Sequence, residues 1–141
     1  DKERAIADYT RAIEINPKYA EAYTNRGNAY SDMGDNERAI ADYNRALEIN
    51  PKLAEAYYNR GAAYYKMGDK ERAIADYNRA IEINPKDAGA YFNKGLACDS
   101  LGRFQEAVEA YKNFLSCVSG TPGMGNFIER ARQRIKELEG K

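Results

Sequence analysis

Three asparagines stand 34 residues apart, at Asn25, Asn59 and Asn93. A carboxamide both donates and accepts, so a row of them can bond an extended peptide backbone without reading its side chains. The other use of such a row is internal, each amide bonding its own helix or a neighbour. Asn28 lies one turn after the first of them. Tyr58, Tyr65 and Phe92 fall on the same stretches, either as aromatic anchors for a partner or as packing between neighbouring elements. A second spaced set couples acids to bases: Asp8, Asp42 and Asp76 are each followed eighteen residues later by Arg26, Arg60 or Lys94. Ala110 takes the acid's place in the last copy while Lys94 stays basic. We therefore expect each base to pair with the acid of the preceding copy, as a part-buried bidentate contact. The alternative is an arginine lying along its helix with its head in water.

Other chemistries are excluded by composition. The 141 residues include no His, which removes the commonest general base and nitrogen metal ligand. No phosphate-cradling loop is present, and carboxylates such as Glu37 and Glu71 belong to solvated helix faces. No enzyme, metal site or cofactor is expected. Lys and Arg number 22, as do Asp and Glu, so the basic excess of a nucleic-acid binder is missing. No apolar run nears the ~20 residues of a membrane span. The chain opens Asp1-Lys2-Glu3-Arg4 without Met, from which we expect the true start to lie upstream.

The spacing of these residues comes from an internal repeat. Ala20–Leu53 and Ala54–Asp87 align without a gap and differ at seven of 34 positions; residues 1–19 match Asp69–Asp87 at all but two, and Ala88–Thr121 is a weaker copy. Each unit reads as two helices. Tyr57, Gly61 and Tyr64 keep helical spacing up to Met67, and Gly68-Asp69 makes the turn. Ala73, Ile74, Tyr77, Ala80 and Ile81 then form an i, i+3, i+4, i+7 stripe. Asn84-Pro85 ends the second helix, because the residue before proline disfavours the α region. Gly27, Gly61 and Gly95 interrupt first helices, where glycine costs up to ~1 kcal/mol against alanine, so close backbone approach is expected there. Ala39, Ala73 and Ala107, with Ala12, Ala46 and Ala80, would supply the facing surface. Phe114 breaks the second alanine series, so looser packing or a bulge is expected in the third unit.

Tyr57-x-x-Arg60-Gly61-x-x-Tyr64, then Ala73-x-x-x-Tyr77, then Pro85 resembles the tetratricopeptide repeat. The resemblance covers residues 1–121. Departures are Arg26, Arg60 and Lys94 where the family usually has an aliphatic residue, Cys98 for Tyr, and Ser119 for Pro, with Pro122 as a later stop. The resemblance implies an all-α, right-handed solenoid of antiparallel helix hairpins: a half repeat at 1–19, then units at 20–53, 54–87 and 88–121. After a Gly-rich linker, residues 122–141 would carry a C-terminal capping helix from Asn126 to Glu139. Asn126 and Glu129 suggest a capping box, and Phe127, Ile128, Ala131, Ile135 and Leu138 form its apolar stripe.

The resemblance further implies that first helices line a concave groove for extended or helical peptides. The groove residues would be Asn25, Asn28, Tyr58, Asn59, Tyr65, Phe92 and Asn93. One family branch clamps acidic C-termini with Lys and Asn. Asn28 and Asn59 match two of its positions, but Thr24, Gly89 and Asn93 stand where its basic residues belong, so that mode is not expected.

The expected function is a non-enzymatic protein-interaction module with a protein or peptide partner, binding neither nucleic acid nor membrane. The alternative is a structural scaffold. Residues 1–19 form a second helix without its first, leaving Ile6, Tyr9 and Ile13, with Ala5 and Ala12, short of cover and open to homo-oligomer contacts. Cys98 and Cys117 are about three helical turns apart along one hairpin, roughly 16 Å, too far for a disulfide. Free thiols suit a reducing, cytoplasmic setting.

Overall fold

The computed structural model describes residues 1–140, and helices are the only regular elements among them. They are α1 (Lys2–Ile15), α2 (Ala20–Asp32), α3 (Asn36–Ile49), α4 (Ala54–Lys66), α5 (Lys70–Ile83), α6 (Ala88–Ser100), α7 (Phe104–Val118) and α8 (Gly125–Glu139). Each helix packs against its neighbours in sequence, and α2 also touches α4 as α4 touches α6. The result is a helical-repeat solenoid in which α2–α3, α4–α5 and α6–α7 are hairpins.

The punctuation has direct causes. Gly34, Gly68 and Gly102 hold φ of 84°, 86° and 78°, the left-handed conformation that closes a first helix at little cost for glycine alone. Asp35 and Asp69 then cap α3 and α5 by accepting the backbone N–H of Arg38 and Arg72. Between hairpins, Asn16, Asn50 and Asn84 end their helices in non-helical conformations, and each side chain accepts the N–H two residues on, making an Asx turn around the proline.

The hairpins close through glycine and tyrosine. A Cβ at Gly27 would lie 2.8 Å from the Tyr43 ring and 3.2 Å from the Ala39 carbonyl oxygen; at Gly61 the Tyr77 ring is 2.9 Å away, and at Gly95 the Tyr111 ring is 2.6 Å away. The glycines thus make room mainly for a tyrosine ring, with the second-helix backbone behind it. Tyr43, Tyr77 and Tyr111 are the largest fully buried side chains together with Phe114 and Cys98.

The third unit does not loosen at Phe114. That residue is buried and its ring centroid lies 5.0 Å from that of Phe92, in a cluster closed by Ala131, Ile135 and Leu138 of α8. The extra volume is used because the capping helix brings its apolar stripe over it. α7 ends at Val118 with Ser119 as C-cap. α8 begins at Gly125 with Met124 at its N-cap and no side-chain cap, so the expected capping box at Asn126 is not formed. At the other end, α1 buries no residue. Cys98 and Cys117 are free thiols.

Candidate partner-binding groove

The first helices present one continuous face. Between α2 and α4 it is indented by a depression of about 370 Å³ lined by Asn28, Ser31, Asp32, Tyr43, Glu55, Asn59, Ala62 and Lys66. Between α6 and α8 a second, of about 460 Å³, is lined by Phe92, Leu96, Asp99, Tyr111, Glu129, Arg130, Gln133, Arg134 and Glu137. Leu96, Asp99 and Tyr111 of the second lie two periods beyond Asn28, Ser31 and Tyr43 of the first. These depressions therefore occupy equivalent positions of the repeat, two periods apart.

The asparagines are tied into the repeat contacts. The Asn59 side-chain amide donates to Asn28 Oδ1 at 2.9 Å, and the Tyr43 hydroxyl donates to the same oxygen at 2.6 Å. Asn93 donates to the Tyr58 hydroxyl at 2.8 Å. Asn25 is exposed and makes no hydrogen bond among the described residues. Two of the three ladder amides thus take the internal role with one N–H, while the carbonyl oxygens of Asn59 and Asn93 accept no hydrogen bond among the described residues.

The aromatic residues separate. Tyr65 is half-buried beside Lys70, whose ammonium lies 5.9 Å from the ring centroid. Tyr58 lies 5.8 Å from Tyr77 and would meet a Cβ on Gly89 at 3.0 Å, so Gly89 is the space that the Tyr58 hydroxyl end occupies. Phe92 is buried, with Phe127 of α8 at 5.3 Å and the Arg130 guanidinium at 5.6 Å. Of the two roles open to the aromatic residues, Phe92 takes the packing one, beneath the capping helix, while still lining the depression between α6 and α8.

The ion pairs also need correction. Arg26 binds Asp42 through Nε and Nη2 at 2.8 and 2.7 Å, and Arg60 binds Asp76 at the same two distances. These pairs lie within one hairpin, sixteen residues apart, and not with the preceding Asp8 or Asp42. The preceding unit is reached by the third nitrogen instead: Arg26 Nη1 donates to Thr10 Oγ1 and Arg60 Nη1 to Asn44 Oδ1. The reason is geometric. A fork of five donors can close on a carboxylate across its own hairpin and still spare an N–H for the neighbour. Each arginine is pushed above its ordinary basicity, first by the hydrogen bond to its aspartate, against the opposing effect of desolvation.

One groove contact was not anticipated. Arg134 of α8 grips Asp99 of α6 at 2.6 and 2.8 Å and also reaches Glu137. Its separation of 35 residues from Asp99 repeats that of Lys66 from Ser31. The signal was present: Ala131 falls one period after the buried Ala29, Ala63 and Ala97, so α8 holds the place of a fourth first helix.

Tetratricopeptide-repeat profiles match residues 2–34 and 27–68, described as TPR repeat, and residues 54–87 and 76–109, described as tetratricopeptide repeat. Two solved structures titled as MamA are 33% and 32% identical; both alignments cover 99% of this chain, and they span 78% and 74% of those chains at TM-scores of 0.87 and 0.86. A third, the first TPR of Spaghetti (RPAP3) bound to the HSP90 peptide SRMEEVD, is 23% identical over 86% of this chain and 90% of its own, with TM-score 0.74, and shares the fold. No curated protein sequence matches. The chain belongs to the tetratricopeptide repeat family, whose members are protein-interaction modules.

Proposed function

We propose that this chain is a non-enzymatic interaction module whose α2–α4–α6 face binds a segment of a partner protein, extended or helical. The observation that carries the reading is where the two near-identical units differ. Four of their seven differences, Thr24/Tyr58, Asn28/Ala62, Ser31/Tyr65 and Asp32/Lys66, fall on the first helices. Asn28, Ser31, Asp32, Ala62 and Lys66 line the depression between α2 and α4. A stack serving only as a spacer has no need to vary there, whereas a partner of uneven chemistry does. Asn25, Asn59 and Asn93 supply backbone-directed amide groups, and Tyr65 supplies an aromatic surface. The neighbour that shares this fold with a bound peptide is in keeping with the reading, and the free thiols suit a cytoplasmic setting. The test is the Asn25/Asn59/Asn93→Ala variant: it should lose binding to selected peptides while keeping its helix content, and unchanged binding would end the proposal.

A second reading, a self-assembling scaffold, is favoured by α1. Ile6, Tyr9 and Ile13 are only half-buried, whereas Tyr43, one period after Tyr9, is 1% exposed, and Ile15 is 72% exposed. Such a face gains ~1.5–3 kcal/mol per large side chain when covered. α8 of another copy is a poor cover, because Glu129 stands one period after Gly95, where room for a tyrosine ring is required. A symmetric α1–α1 contact fits better. Light scattering over a wide concentration range tests it: a dimer lost in Ile6→Glu supports the contact, and a monomer throughout rules it out.

A further inference from the structure

We infer that the open side of α1 receives a partner helix bearing the sequence Arg-Gly-Asn. The inference goes beyond the groove reading, and it gives another occupant to the face that a symmetric α1–α1 contact would cover.

α1 repeats the sequence of α3 and α5, but no first helix packs ahead of it among the described residues. Asp8 is exposed, whereas Asp42 and Asp76 are 5% and 4% exposed. Ala5 and Ala12 are half-buried, whereas their equivalents in α3 and α5 are fully buried. The structure shows what covers these positions elsewhere. Arg26 grips Asp42, and Arg60 grips Asp76, each through two N–H donors. The next residue, Gly27 or Gly61, leaves room for the ring of Tyr43 or Tyr77. The residue after Gly27 is Asn28, whose Oδ1 accepts from the Tyr43 hydroxyl and the Asn59 amide together. One period earlier, the same four groups are the Asp8 carboxylate, the Tyr9 ring, the Tyr9 hydroxyl and the Asn25 amide. Among the described residues Asp8 has no ion pair, and neither the Tyr9 hydroxyl nor the Asn25 amide has a hydrogen bond.

The surface has the matching shape. A depression of about 340 Å³ is walled by Ala5 and Tyr9 of α1 and by Asn25, Asn28 and Asp32 of α2. One period on, Tyr43, Asn59, Ala62 and Lys66 wall the depression between α2 and α4, and Asn28, Ser31 and Asp32 of the preceding first helix close its other side. At α1 that closing helix is the part not supplied. Three adjacent residues specify it: arginine for the Asp8 carboxylate, glycine for the Tyr9 ring, and asparagine as the shared acceptor. Any side chain in the middle position would strike the ring, as a Cβ on Gly27 would approach Tyr43 to 2.8 Å. The folded chain has no such helix to lend a second copy. Gly27, Gly61 and Gly95 already face tyrosine rings in their own hairpins, and α8 presents Ile128-Glu129-Arg130 at that register. The occupant is therefore a helix from outside residues 1–141, selected by space, charge and hydrogen bonding together.

The experiment titrates the whole chain into a fluorescein-labelled peptide of α2, residues 20–32, and follows its anisotropy. This peptide carries Arg26-Gly27-Asn28. A lactam from Glu21 to the lysine of Asn25→Lys, both exposed positions, holds it helical, because a free helix of 13 residues is marginal. The expected result is saturable binding that falls at least tenfold for chains carrying Asp8→Asn or Ile6→Glu. It should fall at least tenfold for peptides carrying Arg26→Ala or Gly27→Glu, and less for Asn28→Ala. Glu37→Gln in the chain should change nothing. No binding, or binding that ignores both Asp8→Asn in the chain and Gly27→Glu in the peptide, would overturn the inference. Binding lost only in Asn59→Ala would place the peptide in the groove and overturn it too. A dimer of the free chain that dissociates in Ile6→Glu and excludes the peptide would give the face to a second copy instead. The peptide variants leave the fold of the chain untouched, and Tm checks the chain variants.

Discussion

Arg60 and Asp76 meet as a parallel fork, Nε to Oδ2 at 2.8 Å and Nη2 to Oδ1 at 2.7 Å, across the α4–α5 hairpin with the carboxylate 6% exposed. A buried charge deprived of its partner is costly, whereas removing both partners is much less so. Asp76→Leu should destabilise by about 2–4 kcal/mol, and Arg60→Met/Asp76→Leu by clearly less than the sum of Arg60→Met and Asp76→Leu. Denaturant unfolding of the four-member cycle measures the coupling. Asp42→Leu should behave similarly, since Arg26 repeats the geometry.

That pairing marks the boundary of what the residues alone reveal. The 34-residue period, the Gly-Asp turns and the Asn-Pro stops were legible because each is a local property of the chain. The choice between Asp42 and Asp76 for Arg60 was not. Both lie at compatible helix registers, and Ala110 opposite Lys94 pointed to the wrong one. Side-chain direction across the antiparallel hairpin decides it. Phe92 shows the same limit: its spacing puts it on the groove face, but α8 covers it through a contact 35 residues long in sequence. The recurrence of Asn25, Asn59 and Asn93 at one register of the first helices was legible from the repeat; which of these amides had already spent a donor was not.

The close hairpin contacts make glycine substitutions sharply position-dependent. Gly95→Ala would place a methyl 2.6 Å from the Tyr111 ring, which is itself packed against Phe92. Overpacking of this kind costs about 1–3 kcal/mol. Gly125→Ala, with nothing within 4 Å, should be neutral or stabilising by up to about 1 kcal/mol. Comparing the two Tm shifts checks the contact directly.

Three buried tyrosines give the fold an alkaline limit. Burial raises the hydroxyls of Tyr43, Tyr77 and Tyr111 far above the ordinary phenol value of 10.0. The folded state keeps its protons while the unfolded chain loses them above that value. Stability is therefore fully present below about pH 10 and declines as pH rises further, by up to about 1.4 kcal/mol per pH unit for each tyrosine. Circular dichroism and phenolate absorbance followed together should show these three ionising only as helix is lost; early ionisation of all twelve tyrosines would contradict the packing.

The capping helix should be required for the third hairpin. Ile135 and Leu138 of α8 close over Phe114 and Val118. Ile135→Ala should cost about 2–4 kcal/mol, against less than about 0.5 kcal/mol for the exposed Gln133→Ala. Removal of residues 120–141 should produce aggregation or loss of the third hairpin, visible by size-exclusion chromatography.

The most direct test of the groove is an amide chemical-shift map of the whole chain titrated with a library-selected 12-residue peptide. The account predicts that the perturbed residues cluster on α2, α4 and α6, around Asn25, Asn28, Asn59, Tyr65 and Asn93, with the exposed faces of α3 and α5 unchanged. Perturbations confined to α3, α5 and α7, or to α1 alone, would contradict it.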